Sequence, residues 1–346
     1  MISKLYMMLW AMALMVASCG GARQSGTAET EKQKAEPVGP VFSADSAFAY
    51  CAAQCSFGPR VMNSTAHEQC GAWIVRQFER FGMKVIEQRA TLTGYDGTAL
   101  QSNNIIASYR PELTNRILLC AHWDSRPWAD NDPDESNHHQ PVMAANDGAS
   151  GVAVMLEIAR LLSQLSDSSS TTGHSQVENS QLGIDFICFD AEDWGIPQWD
   201  DRDVDVTEGN SWALGSQYWS EHPHVEGYKA RYGILLDMVG GRGARFFQEG
   251  YSLRYAGAVV DRVWRAAETV GYSAFFPKKP SSYVTDDHVP VNEMADIPCV
   301  DIIPYYPDSD ESFGPTWHTV NDDIDHIDPN TLKAVGQTVI QVLFSE

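Results

Sequence analysis

Gly183-Ile-Asp-Phe-Ile-Cys-Phe-Asp190 runs directly into Ala191-Glu192-Asp193-Trp194-Gly195. The first segment is an almost continuous apolar run rich in β-branched and aromatic residues. That is the pattern of a strand covered on both faces. Such a strand belongs inside a largely parallel sheet with helices on either side. The second segment closes the strand with carboxylates. In open α/β sheets the carboxyl ends of the strands are where sites form. This one stretch therefore sets the fold class, α/β, and points to where the chemistry should lie.

Outward from it, similar segments alternate with helical ones. VIEQRATL (85–92), NNIIASY (103–109), RILLCAH (116–122), YGILLDMVG (232–240) and CVDIIPY (299–305) read as strands. Thr65 to Glu68 fits a capping box, followed by Trp73, Ile74, Phe78 and Phe81 at helical spacing and a stop at Gly82. Ser150 to about Leu165 and Leu253 to Val270 read as helices. A last helix opens with Asp328 as N-cap and Pro329 in its first turn. No internal repeat interrupts the order. The expectation is one globular domain over 41–346, a central mixed, twisted sheet flanked by helices. Three polar insertions break the scaffold, at 125–141, 163–181 and 196–210.

The chain has 346 residues, is 43% hydrophobic and carries a formal charge of −22. That composition excludes a mostly disordered chain. The acidity argues against a nucleic-acid partner. Residues 1–19 hold one charge, Lys4, then an apolar run ending in Val16-Ala17-Ser18-Cys19. This resembles a bacterial lipoprotein signal cut before Cys19. Residues 1–18 would be the signal, and 19–40 a flexible tether from a lipidated Cys19. The expected location is the cell envelope, membrane-tethered and facing the periplasm. Among the remaining cysteines, Cys51, Cys55 and Cys70 could supply one disulfide. Cys120, Cys188 and Cys299 sit in apolar runs and read as buried thiols.

Six short motifs carry polar chemistry: His122-Trp123-Asp124-Ser125, Asn146 to Gly151, Ala191 to Gly195, Asp237 to Gly240, Asp286-Asp287-His288 and Trp317-His318-Thr319. Gathered at one end of a sheet, these carboxylates and imidazoles would lack matching cations. A divalent metal resolves the repulsion. Mixed imidazole and carboxylate ligation with an open position suits catalytic zinc.

In this order the motifs resemble the zinc-aminopeptidase-like hydrolase superfamily. Within it they are similar to the zinc-dependent, animal-type glutaminyl-peptide cyclotransferases found in Bacteroidetes. The resemblance implies one zinc per chain, held by Asp147, Asp193 and His318. It implies Glu192 as general acid and base, with Asp286 and Asp237 near the substrate amine. It makes Trp317, Phe313 and Trp194 walls of the substrate pocket. His122 and Asp124 match the His-x-Asp pair of two-zinc aminopeptidases, a vestigial or second-metal site. Asp193 departs from the commonest pattern, Glu, by one methylene. The implied reaction converts N-terminal Gln of peptides and proteins to pyroglutamate with release of ammonia. Two other readings stay open: a two-zinc aminopeptidase in which Glu192 activates water, and an inactive peptidase-like binding protein. His288 reads as ordering a loop. His67, His138, His139, His174, His222, His224 and His326 read as solvent-facing.

Overall fold

Along the central strands, alternate residues divide between two cores. The computed structural model describes residues 35–167, 181–200, 211–309 and 312–346. In β3 (Arg116–His122), Ile117, Leu119 and Ala121 join one apolar cluster, while Leu118 and Cys120 join another. In β4 (Gly183–Phe189), Ile184, Phe186 and Cys188 divide from Ile187 and Phe189 in the same way. Successive side chains of a strand point to opposite faces, so both faces of the sheet are buried. Fully burying a Phe such as Phe186 contributes roughly 2–3 kcal/mol.

The sheet has six strands in the order β1-β2-β4-β3-β5-β6, completed by β1 (Lys84–Thr93), β2 (Ala99–Tyr109), β5 (Gly233–Leu236) and β6 (Cys299–Ile302). β4, β3, β5 and β6 run parallel; β1 and β2 are antiparallel additions at one edge. Helices α1 (Ala44–Cys55), α2 (Thr65–Arg80), α3 (Ala149–Asp167), α5 (Gly250–Thr269) and α7 (Pro329–Phe344) supply the larger core. The shorter α4 (Leu214–Glu221) and α6 (His288–Glu293) cover the other face through Trp219 and Val291. The mixed, helix-flanked sheet is the architecture expected. No helix among the described residues is long and apolar enough to cross a membrane.

A polar group interrupts the second face. Asp185 is buried between Arg116, whose Nε lies 2.5 Å away, Ser108 at 2.5 Å and Tyr228 at 2.6 Å. A buried charge persists only when paired and hydrogen-bonded, as here.

Local details differ from expectation. The N-cap of α2 is Ser64, whose hydroxyl accepts from the His67 amide, so Thr65 is already helical. β5 stops at Leu236 although the apolar run continues, because Met238 takes φ +49° and cannot extend a strand. The six cysteines from Cys51 onward are free, so the pair expected from Cys51, Cys55 and Cys70 is not formed; Cys120, Cys188 and Cys299 are buried. Residues 36–40, read as the end of a tether, are instead fastened along α7. Gln341 accepts from the Val38 amide at 2.8 Å and donates to the Glu36 carbonyl, while Gln337 does the same for Phe42 and Pro40. The proposed signal, Cys19 and the tether through residue 34 lie outside the described residues. So do most of the second insertion, with His174, and residues 201–210 of the third.

Candidate active site

The four parallel strands end on one side of the sheet and deliver their next residues there. β3 ends in His122; β4 leads through Asp190 to Glu192 and Asp193; β5 leads to Asp237. Asp147 comes from the loop before α3, Asp286 from the loop before α6, and His318 from the loop between β6 and α7. All are buried, with Glu192 at the boundary.

Backbone shape aims them. Ala191, Met238 and His318 itself have φ of +54°, +49° and +54°. Non-glycine residues in this region each cost about 1 kcal/mol or more and persist where the surroundings hold them. Gly148 is required because a Cβ there would lie 2.5 Å from the His122 ring and carbonyl oxygen. The Asp124 carboxylate accepts from the amides of both Glu192 and Asp193 at 3.1 Å, fixing that turn. Asp322 does the same for the Asn146 and Asp147 amides at 2.8 and 3.0 Å.

Asp147 is shared by two sets of donors. His122 Nε2 lies 2.8 Å from Asp147 Oδ1 and 3.3 Å from Asp237 Oδ1. His318 Nε2 lies 3.6 Å from Asp147 Oδ2 and 3.4 Å from Asp193 Oδ1. Two ligands each about 2.0 Å from a tetrahedral zinc stand about 3.3 Å apart. The Asp147, Asp193 and His318 spacing therefore fits a zinc ion. Asp193 Oδ2 is buried without a hydrogen-bond partner, a lone pair that a cation would satisfy. Behind His318, Asp130 faces Nδ1 at 3.3 Å and also pairs with the buried Arg126 at 2.6 Å. Such carboxylates orient ligating imidazoles. A third set, Asp286, His288 and Asp301, is also close enough to share an ion. Within it His288 Nε2 is engaged by Glu249 at 3.0 Å.

The electrostatics follow from burial among like charges. Burial pushes the Glu192 carboxyl well above the usual range, and the charges of Asp193, Asp286 and Asp287 add to it. Burial, with the charges of Asp286 and Asp147, pushes Asp237 up to about 7. Burial also raises Asp286 and Asp193. Asp147 behaves differently: burial raises it, but the His122 hydrogen bond and the His122 and His318 charges outweigh that and hold it low. Burial works against the charged His122, yet the close carboxylates of Asp124, Asp147 and Asp237, with Asp147 in hydrogen-bond contact, push it well above its ordinary value.

A cavity of about 350 Å³ opens over Glu192, Asp237, Asp286 and His318. Its walls include Phe313, Trp317, Trp212, Ile303 and the segment Tyr283 to Thr285. Trp317 stacks on His318 with centroids 3.9 Å apart and meets Phe313 at 4.9 Å.

Of the residues expected at the site, Glu192, Asp147, Asp193, His318, Asp237, Asp286, His122 and Asp124 come together, and Phe313 and Trp317 line the cavity. Trp194 does not. Its indole turns outward to Asp96 at 3.2 Å and to Trp128 at 5.4 Å. Trp212 takes the wall instead, packed where a Cβ on Gly195 would stand. His67 is a second correction. It is buried, stacked on Trp123 at 4.2 Å, with Nε2 2.8 Å from Asp190. Arg126, Asp130, Trp212, Tyr283 and Asp322 were not anticipated. Arg126 alone had a local signal, a cation four residues after His122.

A mixed α/β sheet with carboxylate and imidazole donors at the ends of its parallel strands defines a zinc-hydrolase-like enzyme. The model of Peptidase family M28 matches residues 104–343. The chain belongs to that family and is an enzyme of this zinc-dependent superfamily. A glutaminyl cyclase of Bacteroides thetaiotaomicron, solved with N-acetylhistamine, is 51% identical with a TM-score of 0.82, covering 89% of this chain and 99% of that one. A leucine aminopeptidase precursor from the same organism is 50% identical with a TM-score of 0.81, covering 89% and 98%. Aminopeptidase YwaD of Bacillus subtilis is 28% identical over 75% of this chain, which spans 48% of that relative's length.

Proposed function

We propose that the protein is a glutaminyl-peptide cyclotransferase working with one zinc. The observation that carries this reading is the contrast between the two donor sets. The set of Asp147, Asp193 and His318 is spaced for an ion. In the set around His122, Nε2 is drawn in to 2.8 Å from Asp147, hydrogen-bond distance, and stands 3.3 Å from Asp237. A protonated His122 would then supply there the positive charge that a second metal supplies in the two-zinc reading. The aromatic cavity and the glutaminyl cyclase among the near relatives support the same reading.

In this reading the side chain of an N-terminal Gln lies against Trp317 and Phe313, folded back toward its own amine. Asp286 and Asp237 hold that amine. Glu192 accepts its proton as nitrogen attacks the γ-amide carbon, and a C–N bond forms. The same carboxyl then donates to the departing nitrogen as the old amide bond breaks, releasing ammonia. A carboxyl held well above its usual range is suited to both transfers. Zinc on Asp147, Asp193 and His318 would supply Lewis-acid polarisation of the γ-carbonyl. Because attack is intramolecular, orientation by the aromatic walls contributes much of the rate.

The His122, Asp147 and Asp237 triad also favours a second reading, a two-zinc aminopeptidase. A Gln-initiated peptide separates the two. Cyclisation lowers its mass by about 17 Da without shortening and is abolished by a chelator and restored by zinc. Release of the free first residue would refute the cyclase. Cell-envelope tethering through a lipid on Cys19 belongs to the same proposal. It rests on the sequence of residues 1–19 and is tested by metabolic labelling with a fatty acid in wild type and Cys19→Ala.

A further inference from the structure

The cavity has a direction. Its floor, Asp237, Asp286 and His318, is buried, while Tyr283 on its wall is 64% exposed. A peptide whose first residue fills the floor can leave past Tyr283, an exposed ring on the wall. The segment that carries that ring is anchored, and the ring itself is seated on its neighbours. Its backbone is stitched to the segment before α5: the Ser281 amide donates to the Gln248 carbonyl at 2.9 Å, and the Gly250 amide to the Ser282 carbonyl at 3.0 Å. The Val284 amide donates to Glu249 at 2.9 Å. The ring rests directly on Gly250, where a Cβ would come within 2.7 Å of it, and meets Tyr251 edge-on at 4.9 Å. Tyr251 in turn stacks on Tyr255 at 6.0 Å.

An exposed aromatic ring held in one place offers contact area without the cost of ordering it. Resting on the glutaminyl cyclase reading, we infer that Tyr283 forms the subsite for the second residue of the substrate and selects peptides with an aromatic side chain there. The ring of that residue packs against the open face of Tyr283, with Tyr251 behind it. The contact is apolar and aromatic, so the phenol hydroxyl is not required.

The test compares Gln-Phe-Ala with Gln-Gly-Ala on zinc-loaded wild type, Tyr283→Ala and Tyr283→Phe. The wild type should favour the Phe peptide by about tenfold in kcat/KM, carried in KM. Tyr283→Ala should bring that ratio close to one, and Tyr283→Phe should keep it. A wild-type ratio near one, or a preference that survives Tyr283→Ala, overturns the subsite. If neither peptide is cyclised, the activity reading falls and the subsite with it. If both are cyclised without preference, only the subsite falls.

Discussion

Removing the Asp322 carboxylate should weaken the fold and the metal site together. Asp322 is buried, and its two oxygens accept from the amides of Asn146 and Asp147, the segment that carries the shared ligand. Asp322→Ala leaves two buried N–H groups without acceptors, at about 1–3 kcal/mol each. Part of this is offset. Burial, with the Asp147 charge second, pushes the Asp322 carboxyl well above its usual range, so deleting it also relieves a strained ionisation. The expected net loss is therefore about 2–3 kcal/mol rather than the upper sum. Asp322→Asn should lose less, because its carboxamide oxygen still accepts one amide while its NH2 group faces the other. Losing the support of a ligand in this way also costs about 10–100-fold in zinc affinity. Urea unfolding of the metal-free proteins gives the first quantity, and competition with a zinc chelator gives the second. If both variants stay within about 0.5 kcal/mol of wild type and bind zinc equally well, Asp322 does not hold this loop.

Glu192→Gln should keep its zinc and lose about 10²–10⁴-fold in kcat, read by ammonia release on a Gln-initiated peptide; full activity would remove Glu192 from the proton transfers. Glu249 sits near pKa 2, because its hydrogen bond and charge contact with His288, and its bonds to the amides capping α5, outweigh the upward push of burial. The resulting stability, roughly 3 kcal/mol, is present above the ordinary Glu value and lost as pH falls toward 2. The difference between wild type and Glu249→Gln should shrink from pH 6 to pH 3 in urea unfolding; a constant difference would contradict the assignment. Cys55 is held at about 7, chiefly by its side-chain interaction with the neighbouring Cys51, while burial drives Cys70 to about 12. Brief iodoacetamide treatment at pH 7.5 should therefore label Cys55 ahead of Cys70 by peptide mapping, and a faster Cys70 would contradict that order.

The parts of the fold legible in sequence were those set by continuous burial. RILLCAH is β3 from end to end, and Asp328 caps the last helix as its side chain suggests. Where two local signals compete, sequence reading slipped. Ser64 and Thr65 are adjacent hydroxyls, and Glu68 three residues beyond Thr65 favoured the wrong one. At the site, motifs on strand ends were readable because the parallel strands all finish on one side. Residues whose role depends on distant partners were not. His67 sits among polar neighbours in sequence, and its partner Asp190 lies 123 residues away. Trp194 and Trp212 are equally aromatic in sequence; the side-chain-free Gly195 leaves the space that Trp212 fills at the cavity wall.

The clasp between residues 36–42 and α7 bears on how the domain is made. Its hydrogen bonds join positions about 300 residues apart, as between Val38 and Gln341. Contacts of such separation form late, because closing so long a loop must precede any gain. A ribosome-bound chain lacking its last helix therefore lacks the hydrogen-bond partners that seat residues 36–42. Maturation must wait for the final turns of α7, and a chain stopped short of Pro329 would present an open apolar face to chaperones and proteases.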